Sequence, residues 1–255
     1  MTLELEALSD GGLWLPVSVD GSAPVPFLLQ ASAGAIALTG ARASGFGPSG
    51  AGRLSLREPL LPGVRGGVLV RQRRVAIGGL ELADQGLLLV ESADWPHPQP
   101  RGVAAGVLGY DLLRRAVLEI DADLRQLTLH RPSSYDFRGL DEVQRLAVLE
   151  RVPYFEAWVE SGREPGAGYW VRLQFEPAAS GGICLDEGPG RGVAVVAGRR
   201  IPLADGRCDP ARAPGRAGQR DGVFGAGAFA GLVVAVDYEG GRIGFRARDR
   251  ASRVD

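Results

Sequence analysis

Apolar residues fall in short runs broken by Gly, Pro, Asp and Ser: residues 13–19, 27–29, 67–70, 75–77, 87–90, 118–120 and 127–129 are examples. Runs of that length with turn residues between them predict many short strands and an all-β chain. Helical periodicity is scarce. A short helix is expected over 109–115. A second is expected over 140–150, where Leu140, Val143, Leu146, Val148 and Leu149 approach one stripe. That second segment follows Arg131-Pro132-Ser133-Ser134 and reads as a connection between two halves. The 38 glycines, roughly twice the usual share, fit a chain dominated by turns.

The halves declare themselves by repetition. Residues 106–130 and 222–246 align without a gap at an offset of 116 (222 − 106), which brings Gly106, Val107, Gly109, Val117 and Asp121 onto Gly222, Val223, Gly225, Val233 and Asp237. Upstream, 27–33 corresponds to 173–179 at an offset of 146 (173 − 27). The first half carries about 30 more residues between its two segments, and the Gly-rich stretch 45–67, a hairpin or a loop over a cleft, accounts for them. The division expected is therefore a first lobe over 1–130, a connection with a short helix over 131–150, and a second lobe over 151–255, each close to ordinary domain size.

Charge narrows the partners. The formal net charge is −1, so the basic excess of a nucleic-acid binder is missing, and a charge-driven membrane-surface role is disfavoured on the same ground. Every basic side chain apart from the two histidines is Arg, and both Lys and Asn are absent, which fits the codon usage of a GC-rich bacterial genome. The first residues, Met-Thr-Leu-Glu-Leu-Glu, have neither a positive n-region nor an apolar h-region, and no apolar run spans a bilayer; a cytoplasmic monomer is the expectation. In a reducing compartment Cys184 and Cys208 are expected as buried free thiols, although they could bridge. They lack zinc-site spacing, His97 and His130 lie far apart, and no Gly-rich stretch leads into a phosphate-binding loop, so neither a metal nor a cofactor is expected.

In its segments the chain resembles the aspartic proteases, in particular bacterial relatives of retropepsin and pepsin. Each lobe of that family has a strand, a hydrophobic-hydrophobic-Asp-Thr-Gly loop, and a later hydrophobic-Gly segment. Here these are 15–21, 27–33 and 107–113 in the first lobe, and 152–159, 175–179 and 223–229 in the second. The resemblance implies a bilobal pepsin-like all-β fold: two related barrel-like lobes with a cleft between them. It also locates a departure. The family's dyad needs two carboxylates that share a proton, and the two positions hold Gln30 and Glu176. The hydroxyl and Gly positions that follow are Ala31 and Ser32 in one loop, Pro177 and Ala178 in the other. With both loops changed at three successive positions, ordinary aspartic protease activity is not expected.

Two functions remain from this reading. The inherited cleft binds a small molecule or an extended peptide without cutting it, with Gln30, Ala31, Ser32, Glu176, Pro177 and Ala178 at its floor. Alternatively, the protein is a biosynthetic enzyme of cyclase or isomerase type that uses Glu176 as acid or base. A bland role stands beside these: Glu176 hydrogen-bonded to the Gln30 amide, joining the lobes. Asp111 and Asp221 beside the Gly segments, and Asp121 and Asp237 at equivalent turns, are expected to bond backbone. Trp95 and His97 are expected in a solvent-facing Pro-rich loop, and Arg71, Arg73 and Arg74 on the exposed side of a hairpin with no ligand.

Overall fold

The computed structural model describes residues 1–7, 12–39, 53–55, 61, 64, 66–91, 95, 106–160, 167–187, 192–208 and 219–248. The first half runs β1 (Thr2–Glu4), β2 (Glu6–Ala7), β3 (Leu13–Val19), β4 (Val25–Leu29), β5 (Ile36–Thr39), β6 (Arg53–Ser55), β7 (Gly66–Ile77), β8 (Leu80–Val90), β9 (Gly106–Leu108), α1 (Tyr110–Leu113), β10 (Val117–Asp121) and β11 (Gln126–His130). The second runs β12 (Glu142–Arg145), β13 (Ala147–Leu149), β14 (Val152–Glu160), β15 (Gly168–Glu176), β16 (Ile183–Leu185), β17 (Val193–Val196), β18 (Arg199–Arg207), β19 (Gly222–Gly225), β20 (Leu232–Asp237) and β21 (Arg242–Ala247). The chain is all-β, as the short apolar runs predict.

Each half closes a barrel, and the two barrels share one strand order. In the first, β3-β4-β9-β5-β8-β7 closes through β3–β7; in the second, β14-β15-β19-β16-β18-β17 closes through β14–β17. Strand directions match as well: β4–β9 and β15–β19 are parallel, and so are β5–β8 and β16–β18. Closure removes free edges and buries one face of every strand. Leu15, Phe27, Leu29, Ile36 and Leu38 fill the first barrel at no more than 1 % exposure. Phe155, Leu173, Phe175 and Phe224 fill the second.

The barrels meet in a six-stranded sheet, β1-β11-β10-β20-β21-β12, contributed half by each lobe. Its central seam pairs β10 with β20 antiparallel, Leu118 facing Val236 and Ile120 facing Val234, with Glu119 opposite Ala235. These four apolar side chains are at most 1 % exposed, and each contributes about 1.5–3 kcal/mol by burial.

The helix expected over 140–150 is not formed. The chain there makes a short turn at Phe137–Gly139 and then the strands β12 and β13. Val143 and Leu149 of the supposed stripe are exposed, while Leu146 is buried. The reason is an available edge: β12 pairs with β21 as β1 pairs with β11, and β13 pairs with β14 as β2 pairs with β3. The Leu146 N–H donates to Gly241 O as the Leu5 N–H donates to Arg125 O. The stretch expected as a connection thus contains the second copy of the N-terminal strands.

Two further expectations change. Cys184 and Cys208 form a disulfide, because the parallel β16–β18 pairing sets Leu185 beside Arg207 and so brings Cys184, in mid-β16, to the residue just past β18, with Cα atoms 5.2 Å apart. Trp95 is buried with Trp14, Leu28, Leu88 and Val107 rather than facing solvent, since that outer face of the first barrel is itself apolar. His97 lies outside the described residues, as does most of 45–67. From that stretch β6 forms a hairpin with β7, and Leu61 and Val64 pack into the Trp14 cluster.

Candidate functional site

Both loops of interest leave the barrels at equivalent points. Strands β4 and β15 run parallel to β9 and β19, so that Leu29 sits beside Leu108 and Phe175 beside Phe224. Each loop then turns back on itself: the Ala33 N–H donates to Gln30 O, and the Ala179 N–H to Glu176 O. Each is also stitched to the Gly segment that follows, by Tyr110 N–H to Ala33 O and by Ala226 N–H to Ala179 O, both 2.7 Å. Gly is required at that stitch because a Cβ on Gly109 would lie 2.3 Å from Ala33 O, and one on Gly225 would lie 2.4 Å from Gly181 O.

Glu176, at the C-terminal end of β15, crosses to the opposite lobe. Its Oε1 accepts from the Ala31 N–H at 2.9 Å and the Ala178 N–H at 3.3 Å. Its Oε2 accepts from the Ser32 N–H at 3.0 Å and the Gln174 amide at 3.3 Å. The carboxylate therefore takes N–H donors from both loops and has no solvent-accessible surface. The amide that reaches it belongs to Gln174, two residues back on the same face of β15. The Gln30 amide, expected in that role, donates to Ser32 Oγ at 3.3 Å.

A frame of charge stands behind Gln174. Its carbonyl accepts from Arg220 Nη1 at 2.6 Å, and the other side of that guanidinium holds Asp186 at 2.8 and 3.2 Å. The Arg220 side chain is 6 % exposed while Asp186 stays 33 % exposed, and the two-pronged contact between them fixes the orientation of the Gln174 amide. Burial raises the Glu176 pKa above the ordinary glutamate range, while hydrogen bonds from the Ser32 hydroxyl and the three backbone N–H groups pull it back. Tyr238, just past β20, packs edge-on against Tyr110 from the other lobe, centroids 6.1 Å apart. Burial, with the Glu176 charge adding to it, holds its phenol well above the usual range.

Of the residues expected at the cleft floor, Gln30, Ala31 and Glu176 are fully buried, Ser32 is 9 % exposed, Pro177 is buried, and Ala178 is half-buried. Leu61, Val64 and Trp95 pack in the apolar cluster that includes Ala33 and touches Ala178, so the first-lobe side of the loops is capped as well. Asp221 accepts from the Arg172 backbone N–H at 2.7 Å. Asp121 and Asp237 do the same job in their two turns, accepting from Leu124 and Gly240. Arg73 and Arg74 pair with Asp20 and Glu81. Among the described residues no cluster of His, Cys, Asp and Glu could hold a metal ion, and no helix is long and apolar enough to cross a membrane. Sequence reasoning missed Gln174, Arg220 and Asp186. The first was accessible from the two-residue period of β15; the other two reach the site only through the fold.

No protein-family model and no curated protein sequence matches the chain. Among solved structures it is similar to a retropepsin-like aspartic protease from Rickettsia conorii, at 19 % identity and a TM-score of 0.37 over 51 % of this chain and 89 % of that one. The bilobal pepsin-like all-β fold rests on the two closed barrels and the sheet they share.

Proposed function

We propose that this is a non-proteolytic protein of aspartic-protease-like fold, in which the former catalytic loops have become the joint between the lobes. The observation that carries the reading is the Glu176 carboxylate, buried, with both oxygens taken up by N–H donors. A group so placed is closed to bulk solvent, and its partner position holds Gln30, which cannot share a proton. The protein on this reading binds a small molecule or an extended peptide above the joint as a monomer, where the half-buried Ala178 is the reachable part of the floor. The test is incubation with denatured protein substrates between about pH 3 and pH 7, the range over which carboxyl dyads work, with fragments read by mass spectrometry. No cleavage is expected. Cleavage abolished by Glu176→Gln overturns the proposal.

One observation favours the biosynthetic-enzyme reading, namely the raised Glu176 pKa, since a general acid needs its proton near neutrality. Burial and saturation by donors weigh against it. The two readings part on turnover: Glu176→Gln abolishes it if Glu176 is the acid or base. The Cys184–Cys208 bridge supports a compartment that leaves disulfides oxidised, rather than the cytoplasm.

A further inference from the structure

The duplication supplies an internal comparison. On the outer face of the second barrel the β14–β15 ladder places Glu156 opposite Arg172 and Trp158 opposite Trp170. The corresponding first-lobe positions, reached from the Trp14–Leu28 and Tyr154–Gln174 pairs two residues along each strand, are Pro16 opposite Pro26 and then Ser18 and Pro24, just beyond the β3–β4 ladder. One barrel thus closes with small and cyclic residues at sites where the other carries two indoles, a carboxylate and a guanidinium. The barrel itself does not require them.

Three of these side chains, Glu156, Trp170 and Arg172, border a cavity of about 240 Å³ that is lined also by Gln219, Arg220 and Asp221. Trp170 is 63 % exposed, the most exposed of the large apolar residues described. It is held edge-on against Trp158, centroids 5.6 Å apart, so the exposed indole is a braced plate on a rigid hairpin. The Glu156 carboxylate and the Arg172 guanidinium are both exposed, and neither makes an ion pair or side-chain hydrogen bond among the described residues. A free acceptor, a free five-donor fork and an apolar plate therefore converge on one hollow.

Charge and size select the occupant. Two carboxylates and two guanidinium groups line the hollow, so it has no net charge with which to attract an ionic ligand. Its volume falls just below the roughly 300–1,000 Å³ of drug-sized sites, which suits a single sugar ring. An extended peptide adding as a strand would need a free edge, and at the hollow β14 is paired to β13, β15 and β17, while the Arg172 N–H and C=O of β15 are both bonded to Asp221. We propose that this hollow is a binding site for a neutral saccharide, with one face of a pyranose on Trp170 and its hydroxyls held by Glu156, Arg172 and Gln219. This site shares Arg220 with the frame behind the inter-lobe joint but does not rest on the function proposed for that joint.

The test is tryptophan fluorescence and ligand-observed NMR on the full chain with maltotriose, cellotriose, mannotriose and triacetylchitotriose, each to about 10 mM, a range that captures the weak affinities of single-ring contacts. A tetra-arginine peptide serves as the charged control. At least one neutral sugar should give a saturable shift that weakens about tenfold or more in Trp170→Ala and in Arg172→Ala. Both residues are exposed, so the variants should melt with the parent protein. The proposal is overturned if no neutral sugar saturates, if Trp170→Ala binds as the parent does, or if the cationic peptide binds more tightly than every sugar.

Discussion

Replacing Glu176 by Ala removes the acceptor from four donors at once: the N–H groups of Ala31, Ser32 and Ala178 and the Gln174 amide. Each buried donor left unsatisfied costs about 1–3 kcal/mol. Two effects reduce the sum: the variant no longer buries a carboxylate, and a water can enter the space vacated. A net loss of about 3 kcal/mol is expected, a fall of roughly 6–12 °C in melting temperature for a chain of this size. The loss should be localised. Amide exchange at Ala31 and Ser32, in the lobe opposite the mutation, should accelerate more than exchange at Leu15 or Phe27 in the barrel interior. Glu176→Gln keeps one oxygen and should cost less than half as much. A Glu176→Ala protein that melts with the parent, with unchanged exchange at Ala31 and Ser32, would refute the idea that this side chain joins the lobes.

The pH dependence follows from the raised Glu176 pKa. The folded protein keeps a proton that the unfolded chain releases, so this group's contribution is fully present below the ordinary glutamate value of about 4.3 and is lost as pH rises through the folded one. Denaturation of the parent against Glu176→Gln should show that extra fall in stability with rising pH in the parent alone; parallel curves would contradict it. For the disulfide, thiol titration of the unfolded, unreduced protein should find no free cysteine, and reduction should cost about 3 kcal/mol for a loop of this length. Two reactive thiols per chain would count against the bridge. Gly109→Ala should lose about 2 kcal/mol or more, because its Cβ meets backbone 2.3 Å away, while Gly181→Ala, with open space around it, should stay within about 0.5 kcal/mol in urea titrations. Equal effects would mean that the stitch to Ala33 is not tight.

The repeat at an offset of 116 was enough to locate the doubled frame, because local turn and pairing needs recur wherever the same sub-structure recurs. The Asp121 and Asp237 turns are the direct case. Residues 140–150 misled because Leu140, Val143 and Leu146 satisfy a helical stripe, and a single chain read alone cannot show that the edge of β21 waits for a strand. Trp95 misled in the opposite sense: its neighbours are Pro and His, so the local composition read as solvent-facing although the face it covers is apolar. The bridge and the Asp186–Arg220–Gln174 frame join strands that only the barrel makes adjacent. At the joint, residue types alone showed that no carboxylate pair is present, but which donors Glu176 would find was set largely by backbone N–H groups, which have no sequence signature.

The seam between β10 and β20 has one more consequence. Leu118 and Val234 are counterparts at the 116 offset, as are Ile120 and Val236, so the ladder that pairs 118 with 236 and 120 with 234 is its own image under a two-fold rotation. Such a seam would equally accept two identical lobes. The loops above it would not. Two copies of the second loop would bring together two carboxylates, and where one lobe offers the Ala31 N–H the copy would offer Pro177, which has none. Two copies of the first would bring two Gln30 side chains and no carboxylate at all. The joint is polar in the directional sense, with an acceptor on one side and donors on the other. Lobes produced as separate polypeptides should therefore choose each other over themselves, and covalent fusion preserves a pairing that the symmetric seam alone would not enforce.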